Sequence, residues 1–122
     1  MNGRREVQLE ACARAAHEAN RVYCLTLGDD SHLGWAATPE WQKETVRHGV
    51  ARALGGATAE EMHQSWLTEK RANGWKYSPI KDAEKKEHPY LLPYAELPAE
   101  QQKKDVLFAG VVRLMAQALG LQ

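Results

Sequence analysis

Glycine and proline residues divide the 122-residue chain into four segments of helical length. Each segment carries apolar residues at three- and four-residue spacing, which is the pattern of an amphipathic helix. A glycine at the end of such a segment typically stops the helix, and a proline typically stands in its first turn. We therefore predict four helices, over about residues 6–27, 39–54, 59–73 and 98–119. The residues that delimit them are Gly28, Pro39, Gly55, Gly56, Gly74, Pro98 and Gly120.

Local signals refine the helix ends and their packing. Thr38 precedes Pro39 and is the predicted N-cap of the second helix, whereas Thr58 and Glu61 have the spacing of a capping box. Trp35 is the large side chain of the loop before Thr38, so we expect it to anchor that loop on the core. Gly110 interrupts the apolar face of the last segment, which predicts close approach of another helix there.

The stretch between the third and fourth helices is predicted to be β rather than helical. Trp75 and Tyr77 alternate as in a short strand, and Leu91-Leu92 forms a second apolar run. A charged turn, 81–87, separates them, which predicts a small β-hairpin resting on the helices. The predicted fold is mainly α, with about four helices and this hairpin, in a single domain. We divide it into an N-terminal helical part, 1–56, and a second part, 57–122.

Composition restricts the partners. The formal net charge of +0 and the pI near 7.0 argue against a nucleic-acid polymer or a membrane surface as ligand. No apolar run approaches the ~18 residues of a membrane span, and the N-terminus does not resemble a secretory signal. Cys12 and Cys24 lie ~18 Å apart if they share one helix, too far for a disulfide. We expect them to be reduced and buried, in a cytoplasmic protein.

Known catalytic and cofactor motifs are not complete in this sequence. The run His17-Glu18-Ala19-Asn20-Arg21 begins like a zinc-protease motif, but Arg21 stands where the second histidine is required. Gly55-Gly56 is not followed by the lysine of a phosphate-binding loop, and no serine has a nucleophile-elbow context. The cysteine spacing does not indicate a zinc site. We therefore expect a protein that is not an enzyme and that has no cofactor and no metal.

The residues best suited to binding are concentrated between His63 and Pro98. Aromatic faces can stack on a planar ring, while lysine and histidine can hold phosphate or carboxylate oxygens. Competing interpretations are core tryptophans and a solvated lysine turn. Three residues of the first helix, which share a polar edge, are secondary candidates, although a solvated edge explains them as well. The candidates are His63, Trp66, Lys70, Trp75, Tyr77, Lys81, Lys86 and His88, with His17, Asn20 and Arg21 as the secondary set.

A longer pattern in this stretch resembles the RyR domain, the repeat named for the ryanodine receptor calcium channels. It consists of HxxW at 63–66, GWxYxPxKD at 74–82, KxHPxL at 86–91 and Leu97-Pro98. His17-Glu18-Ala19-Asn20-Arg21 and Pro39-Glu40-Trp41-Gln42 resemble the N-terminal part of stand-alone bacterial and phage forms. Ser78 stands where glycine is usual, and Lys81 stands where arginine is usual, so bidentate contact with a phosphate is lost at that position.

The resemblance implies a mainly helical fold and a non-enzymatic binding module. In receptors, two repeats pair around a cleft that is associated with nucleotide-like ligands, near the tryptophan that corresponds to Trp66. It therefore implies a nucleotide or nucleotide-derived small molecule as ligand, in a sensing or sequestering role, and a symmetric homodimer. The alternative is a protein-interaction or structural module without a small ligand. An enzyme using Asp82 or Glu18 as a base is the least favoured reading.

Overall fold

The computed structural model describes residues 2–121 and contains four α-helices and two short strands. The helices are α1 (Asn2–Thr26), α2 (Glu40–Leu54), α3 (Ala59–Ala72) and α4 (Ala99–Ala118). The strands are β1 (Lys76–Tyr77) and β2 (Glu87–His88), and short 3-10 helices span Trp35–Ala37 and Tyr94–Glu96. The predicted mainly α fold with a small β element is confirmed. None of the helices within residues 2–121 combines the length and the apolar character needed to cross a membrane.

Helices α1 and α4 lie antiparallel and form the centre of the core. Gln8 Nε2 donates to Leu119 O at 3.0 Å near one end, and Tyr23 OH donates to Glu100 O at 3.1 Å near the other. Small residues between these ends are buried, which lets the two helices approach closely. They are Cys12, Ala13 and Ala16 on α1 and Ala109, Val112 and Ala116 on α4. Both cysteines are free and buried, as predicted.

The glycine at the close helix contact is Gly49, not Gly110. The prediction for Gly110 was wrong, because this residue faces solvent and a Cβ atom there would meet nothing within 4 Å. A Cβ atom on Gly49 of α2 would instead lie 2.9 Å from Phe108 Cζ of α4. The bare backbone of Gly49 therefore gives the Phe108 ring room against α2.

The helix-end predictions are confirmed in part. Thr58 and Glu61 form the capping box: Thr58 N donates to Glu61 Oε1 at 2.9 Å, and Glu61 N donates to Thr58 Oγ1 at 3.1 Å. Gly28 and Gly74 have φ of +84° and +87°, the left-handed conformation expected after a helix. Thr38 is not an N-cap; Pro39 holds that position without a side-chain bond. Thr38 Oγ1 donates to Gly34 O at 2.8 Å instead, so it fastens the preceding loop.

The predicted hairpin was wrong in its topology and in its second strand. β1 and β2 pair in parallel, with Lys76 opposite Glu87 and Tyr77 opposite His88. A tight turn explains this, because Asp82 and Glu87 form an antiparallel bridge and Lys86 has φ of +55°. Because the chain reverses once more in this turn, β2 runs beside β1 in the same direction. Leu91 is buried, but it and Leu92 lie outside the strands.

Candidate functional site

A cavity of about 360 Å³ lies among α3, α4 and the segment 81–97. Trp66, His88 and Tyr90 supply aromatic rings, and Lys81 and Lys104 supply cations. We call it the aromatic-cationic cavity. Five sequence-predicted residues line it, namely Asn20, His63, Trp66, Lys81 and His88.

His88 is held in one orientation by its own backbone turn. Tyr90 N donates to His88 Nδ1 at 3.0 Å, so the neutral ring carries its proton on Nε2. The ring packs edge-on against Trp66, with 5.3 Å between centroids and 74° between planes. Burial, followed by the nearby Lys81, Lys104 and Lys70 amines, lowers the pKa of His88 to about 4. His88 is therefore neutral at pH 7 and can hold an oxygen through an N–H group but not through a positive charge.

His63 joins α3 to the segment before α4. Its Nε2 lies 2.7 Å from Leu92 O, so this nitrogen donates. The ring stacks on Trp66 at 5.5 Å with 29° between planes, and the residue is only 5% exposed. Its Nδ1 lies 3.9 Å from Asp105 Oδ2. These contacts fix the aromatic wall of the cavity, leaving His63 little free polar surface for a ligand.

Asp105 places an ionisable carboxyl group at the back of this cavity. Burial raises the pKa of Asp105 to about 7, while the neighbouring Lys104 acts in the opposite direction. The group is consequently near its titration midpoint at neutral pH. Lys104 Nζ also lies 5.7 Å from the centre of the Tyr90 ring, within cation–π range.

Lys70, Trp75 and Tyr77, which the sequence proposed as ligand-binding residues, do not line the cavity. Lys70 is 7% exposed, and its Nζ lies between two rings, 4.8 Å from the centre of Trp41 and 5.2 Å from that of Trp75. Burial lowers the pKa of the Lys70 amine. This cation–π sandwich joins α2, α3 and the residue before β1, and it accounts for the Lys70 amine without a ligand. Tyr77 is 53% exposed on β1 and does not line the cavity.

Lys86 and two of the three secondary candidates are also held away from the cavity. Lys86 Nζ donates to Asn73 O at 2.9 Å and so satisfies a carbonyl at the end of α3. His17 is buried with Nε2 2.7 Å from Leu33 O, and Arg21 pairs with Glu18 at 3.0 Å. Asn20 does line the cavity, so the predicted polar helix edge reaches it through one residue.

Sequence reasoning missed the contribution of α4. Gln101, Lys104, Asp105 and Phe108 all line the cavity and stand at positions i, i+3, i+4 and i+7. That spacing puts them on one side of a helix and was a usable signal. Tyr90 and His32 also line it, and neither has a comparable signal because both lie in irregular segments.

A second, larger groove of about 930 Å³ runs between α2 and α3. Val46, Met62 and Phe108 give it apolar surface, and it shares Trp66, Asp105 and Phe108 with the aromatic-cationic cavity. Despite its size it contains a single predicted residue, Trp66, and Arg52 is the one lysine or arginine among the described residues that line it. The smaller cavity is the better site for an anionic aromatic ligand, because rings and cations converge there.

Comparison with known protein families agrees with the pattern in the sequence. A family model described as the RyR domain matches residues 50–121, which is 72 of the 122 residues. The chain belongs to the RyR domain family. The matched region runs from the end of α2 through α4 and thus contains most of the aromatic-cationic cavity. Within the cavity, Asn20 and His32 lie outside the matched region, in the part of this RyR protein that packs beside it.

Proposed function

We propose that this RyR domain is a non-enzymatic binding module for a nucleotide or a nucleotide-derived small molecule, which it senses or sequesters. The observation that carries the proposal is the convergence of Trp66, Tyr90, Lys81 and Lys104 on one cavity. A planar base needs an aromatic face, and its phosphate needs cations or N–H donors. The cavity supplies both kinds of group, and the protein's two free cysteines suit a reducing cytoplasm.

The size and charge state of the cavity favour a small anion. Its volume of about 360 Å³ is near the lower end of the range of about 300–1,000 Å³ typical of ligand pockets. Stacking a base contributes about 1–3 kcal/mol, and the neutral His88 can add an Nε2–H donor. The lysines are point charges, so they favour negative charge without imposing the geometry of an arginine fork.

We further propose that two copies pair across this face as a symmetric homodimer. Ile80 is 76% exposed and Tyr77 is 53% exposed, and the two residues closely precede Lys81, which lines the cavity, in the sequence. A second copy would cover these apolar groups and close the cavity. Light scattering at micromolar concentration should give twice the chain mass, and Ile80→Glu should shift it toward the monomer. A monomeric mass for the unaltered chain would reject the pairing.

The ligand is testable with a matched pair of lysine variants. Thermal shift and calorimetry against mono-, di- and cyclic nucleotides should identify a binder. Lys81→Ala should then weaken it about tenfold, which corresponds to ~1.4 kcal/mol for one lost charged contact. Lys85→Ala is the control, because Lys85 is exposed on the same turn but does not line the cavity. Equal loss in both variants, or no response to any nucleotide, would contradict the proposal.

Two further measurements complete this test. A folded Trp66→Ala variant should lose most of the response, because the stacking face is removed. Chromatography of the bound nucleotide after prolonged incubation should show it unchanged, and steady turnover would refute the non-enzymatic part of the proposal.

The groove between α2 and α3 supports a second candidate function, a protein-interaction module. Its volume of about 930 Å³ and its apolar Val46, Met62 and Phe108 suit a peptide or helix better than a small anion. If this function holds, Val46→Arg should abolish binding of a co-purifying protein, whereas Lys81→Ala should not.

A further inference from the structure

The loop that follows α1 brings three possible metal ligands together. Cys24 Sγ, a carboxylate oxygen of Asp29 and a ring nitrogen of His32 all lie within 4.8 Å of one another. Cys24 is fully buried, and the other two are partly buried. This grouping has no recognisable signal in the sequence, because an aspartate and a histidine in a loop follow no fixed spacing from Cys24.

Backbone hydrogen bonds hold this loop in place. Leu27 N and Asp29 N both donate to Cys24 O, at 3.0 and 2.9 Å, and Gly28 has φ of +84°. The chain thus reverses directly over the last turn of α1. This hydrogen-bonded turn places Asp29 next to Cys24.

The Asp29 carboxylate is already oriented by its neighbours. Its Oδ1 accepts from Ser31 N at 2.9 Å and from Ser31 Oγ at 2.6 Å. Its Oδ2 lies 3.5 Å from His32 Nε2. One oxygen is therefore fixed by hydrogen bonds while the other faces the imidazole, an arrangement that commonly supports metal-binding carboxylates.

We infer that Cys24, Asp29 and His32 form a zinc-binding site. Tetrahedral zinc with bonds of about 2.0–2.3 Å separates its ligand atoms by about 3.3–3.8 Å. The Asp29–His32 distance of 3.5 Å is in that range, and the other pairs, within 4.8 Å, need only small side-chain movements. Sulfur, imidazole nitrogen and carboxylate oxygen are all ligands that zinc accepts.

The charges of the proposed ligands offset that of the zinc ion, which limits repulsion by the nearby lysines. Lys81 and Lys104 both act on the His32 imidazole and would repel an uncompensated cation. A thiolate and a carboxylate together neutralise the two positive charges of zinc, so the loaded site carries no net charge. Three protein ligands leave a fourth coordination position open for water or an anion. His32 also lines the aromatic-cationic cavity, which places the metal site at its edge.

The test is a cobalt titration of tag-free, reduced protein, because cobalt(II) reports thiolate ligation by its near-ultraviolet charge-transfer absorption. One equivalent should produce this band, and zinc should remove it by displacement. Cys24→Ala should abolish the band, and His32→Ala should weaken cobalt binding at least tenfold. Cys12→Ala is the matched control, because it removes the other fully buried thiol and should leave the band unchanged.

Three outcomes would overturn the inference: no thiolate band in the unaltered protein, equal loss in Cys12→Ala, or retention of the band in Cys24→Ala. Circular dichroism checks that each variant is folded. If Cys24→Ala is unfolded, Asp29→Asn and His32→Ala decide, since both change partly exposed side chains. Unchanged cobalt affinity in both of these variants would also reject the site.

Discussion

The helical core and the aromatic-cationic cavity differ in the side chains that they remove from water. Around Cys12, Trp35 and Val112 the core buries apolar side chains, whose packing stabilises the fold directly. The cavity half-buries His88 and Asp105, and this partial burial disfavours their charged forms. Ionising Asp105 therefore reduces stability at neutral pH, and strongly shifted pKa values are typical of functional sites. The difference predicts that variants in the two regions will affect stability and binding in separate ways.

The largest effect is expected at Trp35, the main aromatic side chain of the core. It is 9% exposed, packs against His17 with 5.5 Å between ring centroids, and lies beneath the Lys43 amine at 5.2 Å. Trp35→Ala should destabilise the protein by about 3–5 kcal/mol, because it leaves a large cavity. Urea denaturation measures this loss. Trp41→Ala is the control: Trp41 is 52% exposed and should cost clearly less. Equal losses of unfolding free energy in the two variants would show that the cost does not depend on how deeply each tryptophan is buried.

The second prediction concerns Asp105, and here the variant is expected to be more stable than the unaltered protein, not less stable. With a pKa of about 7 in the folded protein and ~3.9 in the unfolded chain, Asp105 binds its proton more tightly when folded. Its contribution to stability is therefore complete below about pH 4 and is lost as pH rises through 7. Asp105→Asn removes this penalty, so the variant should gain on the order of 1–3 kcal/mol over the unaltered protein between pH 4.5 and pH 8.

Chemical denaturation at several pH values tests the Asp105 prediction. His88 requires a correction, because its lowered pKa has the reverse effect: its contribution is present above about pH 6.5 and is lost as pH falls toward 4. The Asp105→Asn difference isolates the aspartate, since both proteins retain His88. Asp30→Asn, at an exposed loop carboxyl, is the control. A gain that does not change with pH would contradict the assigned titration.

The third prediction compares two glycines in neighbouring helices. Gly49→Ala places a Cβ atom 2.9 Å from Phe108 Cζ. The overpacking costs about 1–3 kcal/mol and outweighs the ~1 kcal/mol gain in helix propensity. Gly110→Ala meets open space, so it should stabilise by up to ~1 kcal/mol. The melting temperature should therefore fall for Gly49→Ala and rise for Gly110→Ala. A rise in both variants would show that α2 can move away from Phe108.

The same two regions differ in how far their sequence predicts them. The helices of the core follow from periodic apolar residues and from stop signals such as Gly28 and Gly74, which are local properties. The pattern around Trp66 and His88 likewise predicted the family correctly. Which side chains face the cavity could not be predicted in the same way. Lys81 and Lys86 look equivalent in sequence, but the left-handed conformation of Lys86 turns its amine toward Asn73 O.

This contrast between two lysines gives the smallest and most specific prediction. Lys86→Ala removes one exposed hydrogen bond at the end of α3, so it should cost about 0.5 kcal/mol of stability. It should not weaken ligand binding, because Lys86 does not line the cavity. Lys81→Ala should do the reverse, with unchanged denaturation and weaker binding. A Lys86→Ala variant that lost nucleotide binding as strongly as Lys81→Ala would mean that the turn rearranges around the ligand and that cavity residues do not define the site.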